Sequence, residues 1–112
     1  MSIQWVLMDE PLSFSNKRTN EALIYGFDFR NILGSGESIT STGWSITAIK
    51  PAGASIAGMM FGTPTISGTK TFQQIRSGQD NSLYSVVAQI TTNLANVLEE
   101  NALLPVSNSA YK

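Results

Sequence analysis

The stretch from Leu83 to Thr92 constrains this chain most. Tyr84, Val86, Ala88 and Ile90 fall on one side at period two, and Ser85, Val87, Gln89 and Thr91 fall on the other. That alternation is the signature of a half-buried β-strand. A polar, glycine-containing turn, Ser77-Gly-Gln-Asp-Asn-Ser82, leads into it. Asp80 lies four positions before Tyr84 and Val86 two positions after it, the arrangement of a tyrosine corner at the start of strand F in immunoglobulin-like and fibronectin-like sandwiches. Tyr84 is therefore expected to be architecture, its ring in the core and its hydroxyl satisfying a backbone group.

The rest of the chain fits the same plan. In Ala22 to Phe29, period two places Leu23, Tyr25, Phe27 and Phe29 on one face, with Asp28, Arg30 and Gly26 opposite. A turn over Asn31 to Glu37 precedes a strand from Ile39 to Lys50, where Trp44, Ile46 and Ala48 alternate with Ser45, Thr47 and Ile49. Pro51-Ala-Gly53 ends that strand, because proline cannot donate in a central ladder. A third strand is expected over Ser55 to Phe61, then a loop with a brief extended piece over Gly62 to Gly68, then a strand over Lys70 to Arg76. The last segment reads two ways. As a helix capped by Asn93 and stopped by Pro105, it would align Leu94, Leu98 and Ala102. As a strand it would align Leu98, Glu100, Ala102, Leu104 and Val106, with Glu100 awkward among apolar neighbours. Strand is favoured, because the Leu83–Thr92 strand would otherwise expose a long edge and Asn93 to Asn96 suits a hairpin turn.

The expected fold is all-β, an immunoglobulin/fibronectin-III-like β-sandwich of about six to seven antiparallel strands. Its core would hold Tyr25, Phe27, Phe29, Trp44, Ile46, Tyr84, Val86 and Ile90, with Gly36, Gly78 and Asp80 shaping turns. The sandwich is expected over residues 21–106, after an N-terminal arm over 1–20 and before a tail over 107–112.

Composition narrows the chemistry. At 112 residues and 42% hydrophobic content, one domain can bury a core without staples. Only 13% of residues are charged, the net charge is −1, and the seven Lys and Arg residues are scattered. A nucleic-acid binder concentrates basic residues in a patch, so no nucleic-acid partner is expected. Cysteine and histidine are both absent, which removes disulfides, Cys-based metal sites and most general-base chemistry. The N-terminus lacks the features of a signal peptide, and no apolar run approaches the roughly 20 residues of a membrane span, so no membrane partner is expected.

Individual residues favour structural roles. Asp28 should face outward near Arg30 as a hydrogen-bond acceptor. Asp9-Glu10 and Glu99-Glu100 are adjacent pairs whose members point to opposite faces of a strand. Gly34-Ser-Gly-Glu37 lacks the Lys-Ser/Thr of a phosphate loop and reads as a turn. No catalytic residue, metal site or cofactor is expected, and the chain is not expected to be an enzyme.

With those elements in place, Ile24-Tyr-Gly-Phe-Asp-Phe29, Leu33, Gly36-Glu-Ser-Ile39 and Trp44-Ser-Ile46 together resemble the opening of a family of small tailed-phage structural proteins, the fiber-tail adaptor or minor virion proteins. Ser77 to Val86 is similar to the family's second half, a glycine-rich turn followed by Tyr-x-Val. The likeness covers Ala22 to Val106. Two departures stand out: Ser77-Gly78 replaces a double glycine, and Leu94-Ala-Asn96 replaces a Gly-Arg-like pair in the final hairpin. The resemblance implies an immunoglobulin-like virion protein, made in the bacterial host cytoplasm. It would act by protein–protein assembly in the tail or fiber-tail region, with other virion proteins as partners and several copies or a homo-oligomer in the particle. A capsid cement or decoration protein is the alternative within virions. A carbohydrate-binding module, using Trp5, Trp44 or Tyr111 as a platform, is the alternative of another class.

The family pattern leaves Met1 to Asn20 unexplained. Ile3 to Met8 reads as a short apolar strand or arm, and Asp9 to Asn20 as a polar connector carrying Phe14. Ile3, Trp5, Leu7 and Phe14 are the expected interface residues, through addition of the N-terminal strand to a sheet edge of a neighbour.

Overall fold

The computed structural model describes residues 13–108 and the backbone of residues 3–6. Among the described residues are seven strands: β1 (Ile3–Val6), β2 (Ala22–Asp28), β3 (Ile39–Lys50), β4 (Met60–Ser67), β5 (Lys70–Arg76), β6 (Ser82–Thr92) and β7 (Val97–Val106). They form two sheets, ordered β1-β2-β5-β4 and β3-β6-β7. β1 runs parallel to β2, a departure from the expected all-antiparallel arrangement; the other pairings between strands are antiparallel.

Alternation in the sequence explains how the sheets meet. β2 contributes Tyr25 and Phe27 and β5 contributes Ile75, all fully buried. Facing them are Ile46 of β3, Tyr84, Val86, Ala88 and Ile90 of β6, and Ala102, Leu104 and Val106 of β7. Phe29, just past β2, joins the same core. Burying a side chain such as Phe or Ile contributes about 1.5–3 kcal/mol each, so this layer dominates the stability of the fold.

β7 is a strand throughout, in register with β6 from Ser82↔Val106 to Thr91↔Val97. Asn93 to Asn96 form the hairpin turn: the Thr92 N–H donates to the Asn96 carbonyl and the Ala95 N–H to the Thr92 carbonyl, both at 2.9 Å. Ala95 takes a φ of 67° to close it. Glu100 is buried at the position that looked awkward, opposite Ala88.

Two expectations about the order of elements need correction. The strand placed over Ser55–Phe61 lies instead over Met60–Ser67. Gly58 sits at φ 70°, and the Met59 N–H bonds back to the Ile56 carbonyl, so 56–59 is a turn. Gly62 to Pro64 is a bulge inside β4 rather than a loop, since the pairing with β5 skips from Phe61 to Thr65.

The second correction concerns the connector. Ser13 and Lys17 bridge in parallel to Leu103 and Val106 of β7. The Phe14 and Lys17 N–H groups donate to the Leu103 and Pro105 carbonyls at 2.8 and 2.9 Å. Residues 13–17 therefore edge the second sheet, and the body of the fold begins before the expected boundary at Glu21.

The strand expected over Lys70–Arg76 is present as β5. Its inward face carries Thr71 and Gln73 beside Ile75, while Phe72 points outward. A partner exists for each inward polar group. The Thr71 hydroxyl lies 2.8 Å from that of Thr42 and accepts from the Trp44 indole N–H at 3.0 Å, joining the two sheets. The Gln73 amide donates to the Phe61 and Gly62 carbonyls, where the β4 bulge begins. Outside, the Phe72 ring covers Gly26, where a Cβ would come within 2.7 Å of it.

Candidate interaction surfaces

The two ends of the sandwich are held by different chemistry. At the end where β6 begins, the Tyr84 hydroxyl accepts from the Gln79 N–H at 2.9 Å and donates to the Ser55 carbonyl at 2.7 Å. One fully buried side chain thus fixes both the β5–β6 turn and the β3–β4 connection. Lys17 is fully buried beside it. Its ammonium donates to the carbonyls of Arg18, at 2.8 Å, and Ser77. Burial pushes the Lys17 amine down to about 8, against the upward pull of nearby Glu21. The turn itself is tight. Ser77 and Asn81 both hold φ 60°, and at Gly78, φ 104°, a Cβ would press on Met59 and Val106. Asp80 accepts from the Asn108 N–H at 2.8 Å, tying the end of the chain to the same turn.

At the far end, Glu37 gathers the loop before β3 onto the β6–β7 hairpin. Its carboxylate accepts from the Gly34 N–H at 2.8 Å, the Thr92 hydroxyl at 2.6 Å and the Asn96 amide at 2.7 Å. Those three donors, the backbone N–H first, hold its carboxyl below the usual range. Asn93 completes the staple through Ser38 and the Gly36 carbonyl. Gly36, at φ 75°, makes the turn. Leu94 and Val97 stand beside this staple largely bare, each more than half exposed.

The remaining expected residues fall out as follows. Tyr25, Phe27, Phe29, Ile46, Tyr84, Val86 and Ile90 are buried. Trp44 is only half-buried, at the edge of the second sheet, its ring 5.1 Å from Phe27 and its N–H bonded to Thr71. That fixed seat leaves little of a free stacking platform. Asp28 meets Arg30 as expected, at 3.0 Å, yet it is nearly closed from water rather than outward-facing. Burial opposes its charge, but the Thr69 hydroxyl, the Arg30 N–H and the Arg30 and Lys70 charges outweigh that and keep its pKa low.

Of the four expected interface residues, Phe14 is internal. It is 4% exposed, with its ring 4.7 Å from Tyr25 and 5.6 Å from Phe27. A single aromatic on a polar segment carried that signal, but the sequence could not say which sheet it would dock on. Ile3 and Trp5 lie on β1, whose backbone pairs with Ile24 and Gly26 of the chain's own β2. Leu7 and Tyr111, like Asp9-Glu10, lie outside the described residues.

Sequence reasoning missed an exposed cleft on the outer face of the first sheet. It measures about 280 Å³ and is lined by Ile24, Phe61, Phe72 and Gln74 together with the β4 bulge. The Arg76 guanidinium sits 3.4 Å over the Phe61 ring beside it. Among the described residues no three His, Cys, Asp or Glu side chains converge on a metal-sized site, and no helix is long and apolar enough to cross a membrane.

The geometry defines an all-β protein of two packed sheets whose buried polar groups hold turns and sheets together, and whose open features, among the described residues, are edges, ends and shallow clefts. The chain belongs to the podophage GP4 fiber-tail adaptor protein gp77 family, whose model it matches over residues 17–105. No curated protein matches it. Membership makes it a phage tail structural protein, and implies a place in the virion and contact with other virion proteins. It supports neither the cement nor the carbohydrate-binding reading.

Proposed function

We infer that this chain is a fiber-tail adaptor that works by assembly alone. It is a rigid sandwich, present in several copies, that docks other virion proteins on its edges, ends and N-terminal strand and performs no catalysis. The family match across the whole sandwich carries this reading. The immunoglobulin/fibronectin-III-like topology is part of it. The orders β2-β5-β4 and β3-β6-β7 correspond to strands B-E-D and C-F-G, with the corner tyrosine at the head of F. Rigidity suits the role, because an adaptor that does not rearrange keeps more of its contact energy as affinity.

The N-terminal strand is the part offered to partners. β1 adds to the free side of β2 by backbone pairing over only four residues, and the same pairing is open to a neighbour's strand. Strand addition is tested by removing residues 1–12, which spares Phe14 and Lys17. The shortened chain is expected to fold with an unchanged far-ultraviolet spectrum and to be lost from purified tails. Unchanged incorporation would remove the N-terminal strand from the mechanism. The adaptor role itself is tested by quantitative mass spectrometry of intact particles. The copy number is expected to follow the symmetry of the tail, and a shell-sized number would overturn it.

A further inference from the structure

We propose that the free edge of β3 is a self-association site, at which a second copy of this chain pairs its own β3 in antiparallel fashion to make one continuous six-stranded sheet. The inference rests on the multi-copy reading above and names the surface that carries it.

β3 closes one side of its sheet, and among the described residues no strand pairs with its other side. Edge strands expose unpaired N–H and C=O groups and are normally protected by proline, charge, bulges or a covering segment. The other described edges of the fold carry such devices. β1 is only four residues long, β4 has the Gly62–Pro64 bulge, and β7 is covered by residues 13–17 along Leu103 to Val106 and carries Glu99 and Glu100 ahead of that stretch. β3 has none along its middle. It is the longest strand, its pairing with β6 runs unbroken from Ser41 to Ala48, and no charged side chain occurs from Ile39 to Ile49.

Gly43 supplies the second observation. Glycine inside a strand weakens it, and marks a bulge, a bend or a place where another backbone comes close. Gly43 sits in unbroken register, does not adopt a positive φ, and would meet nothing within 4 Å if it carried a Cβ. Nothing inside the chain requires glycine there. The contrast with Gly26, covered by the Phe72 ring, is direct. A shallow hollow of about 200 Å³ lies over Gly43, bounded by Trp44, Ser45, Val87, Gln89 and Glu99.

The choice of a second copy follows from charge. An uncharged strand places no like charges opposite one another when it pairs with itself. Antiparallel pairing also runs the Lys50 end of one copy beside the Glu37 end of the other, whereas parallel pairing would set lysine beside lysine. A two-fold axis at Ser45 keeps both faces in phase and sets Gly43 opposite Thr47, and Trp44 opposite Ile46, across the copies. Thr47 then fills the hollow over Gly43.

Sedimentation equilibrium of the full chain over a concentration series tests this, with two variants. Gly43→Val places a β-branched side chain in open space within one copy and in the path of Thr47 of the next. Ser45→Lys sets two like charges face to face on the axis. The wild type is expected to sediment as a dimer. Both variants are expected to sediment as monomers, Gly43→Val with a Tm equal to or above the wild type, and Ser45→Lys returning toward dimer as salt is added. A wild type that is monomeric at every concentration overturns the proposal, as does a dimer that both variants leave intact. Protection of the β3 amides appearing only inside assembled tails would assign the edge to another virion protein, and also overturns it. Normal incorporation of a monomeric wild type would leave the adaptor reading standing alone, and a stable dimer absent from tails would do the reverse.

Discussion

The two ends of this sandwich solve the same problem with opposite means. Both must hold loops across the gap between sheets. The end at Ser82 does so with buried groups: the Tyr84 hydroxyl, the Lys17 ammonium and a packed Gly78. The end at Thr92 does so with a carboxylate and two asparagines in reach of water. Buried hydrogen bonds leave an uncompensated group when one partner is removed, whereas exposed ones are replaced by solvent. The first end is therefore the rigid one, and the second, with Leu94 and Val97 bare beside it, tolerates change.

Substitutions can break this asymmetry in graded steps. Phe14→Ala, which removes the aromatic seating the segment beside β7, is expected to cost about 3–5 kcal/mol in chemical denaturation. A cost under 1 kcal/mol would mean that residues 13–17 are dispensable to the rigid end. Tyr84→Phe keeps the ring but strands the Gln79 N–H and the Ser55 carbonyl, and is expected to cost about 1–3 kcal/mol.

Lys17 gives the rigid end a pH signature. Its amine lies near 8 in the folded chain and at its usual value near 10.5 when unfolded. Between those values the unfolded chain holds more protons, so stability from this group rises with pH across that window. Lys17→Met should lack this rise; parallel Tm-against-pH curves for the two chains would contradict it.

Ser77→Gly relieves a left-handed serine at φ 60°, with an expected gain below about 1 kcal/mol. The smallest effect belongs to the far end. Glu37→Gln keeps one of the two acceptor oxygens, so either the Gly34 bond or the Thr92 and Asn96 bonds pass to water, and its change in Tm should be slight at neutral pH. Because the Glu37 carboxyl is held low, any advantage it gives is present above the usual carboxylate range and fades as acid protonates it. A larger loss from Glu37→Gln than from Tyr84→Phe would invert the comparison.

The same contrast shows what could be read in advance. Tyr84, Val86, Ala88 and Ile90 were legible because a strand with one wet face writes its burial in alternate residues. The strand over β7 was legible only through its neighbour, since its own residues suit a helix as well. Residues 13–17 were not legible: Phe14 and Lys17 are buried three positions apart in a polar run, and a buried lysine declares itself only where two carbonyls await it. The inward Thr71 and Gln73 were hidden for a related reason, because their acceptors and donors come from β3 and β4. The two places where the chain departs from the glycines its resemblance implies fall on left-handed backbone. Ser77 and Ala95 are the residues at φ 60° and 67° where glycine would sit without strain.

The segment 13–17 and β7 lie side by side and point the same way. Tension between the two ends of the chain draws one backward and the other forward along their common axis. The bonds from Phe14 to Leu103, Lys17 to Pro105 and Ser107 to Lys17 are then loaded in shear, together, instead of being unzipped singly. For a phage tail structural protein, that geometry is a latch that resists pulling along the line of the strands, with the Lys17 ammonium as its pin.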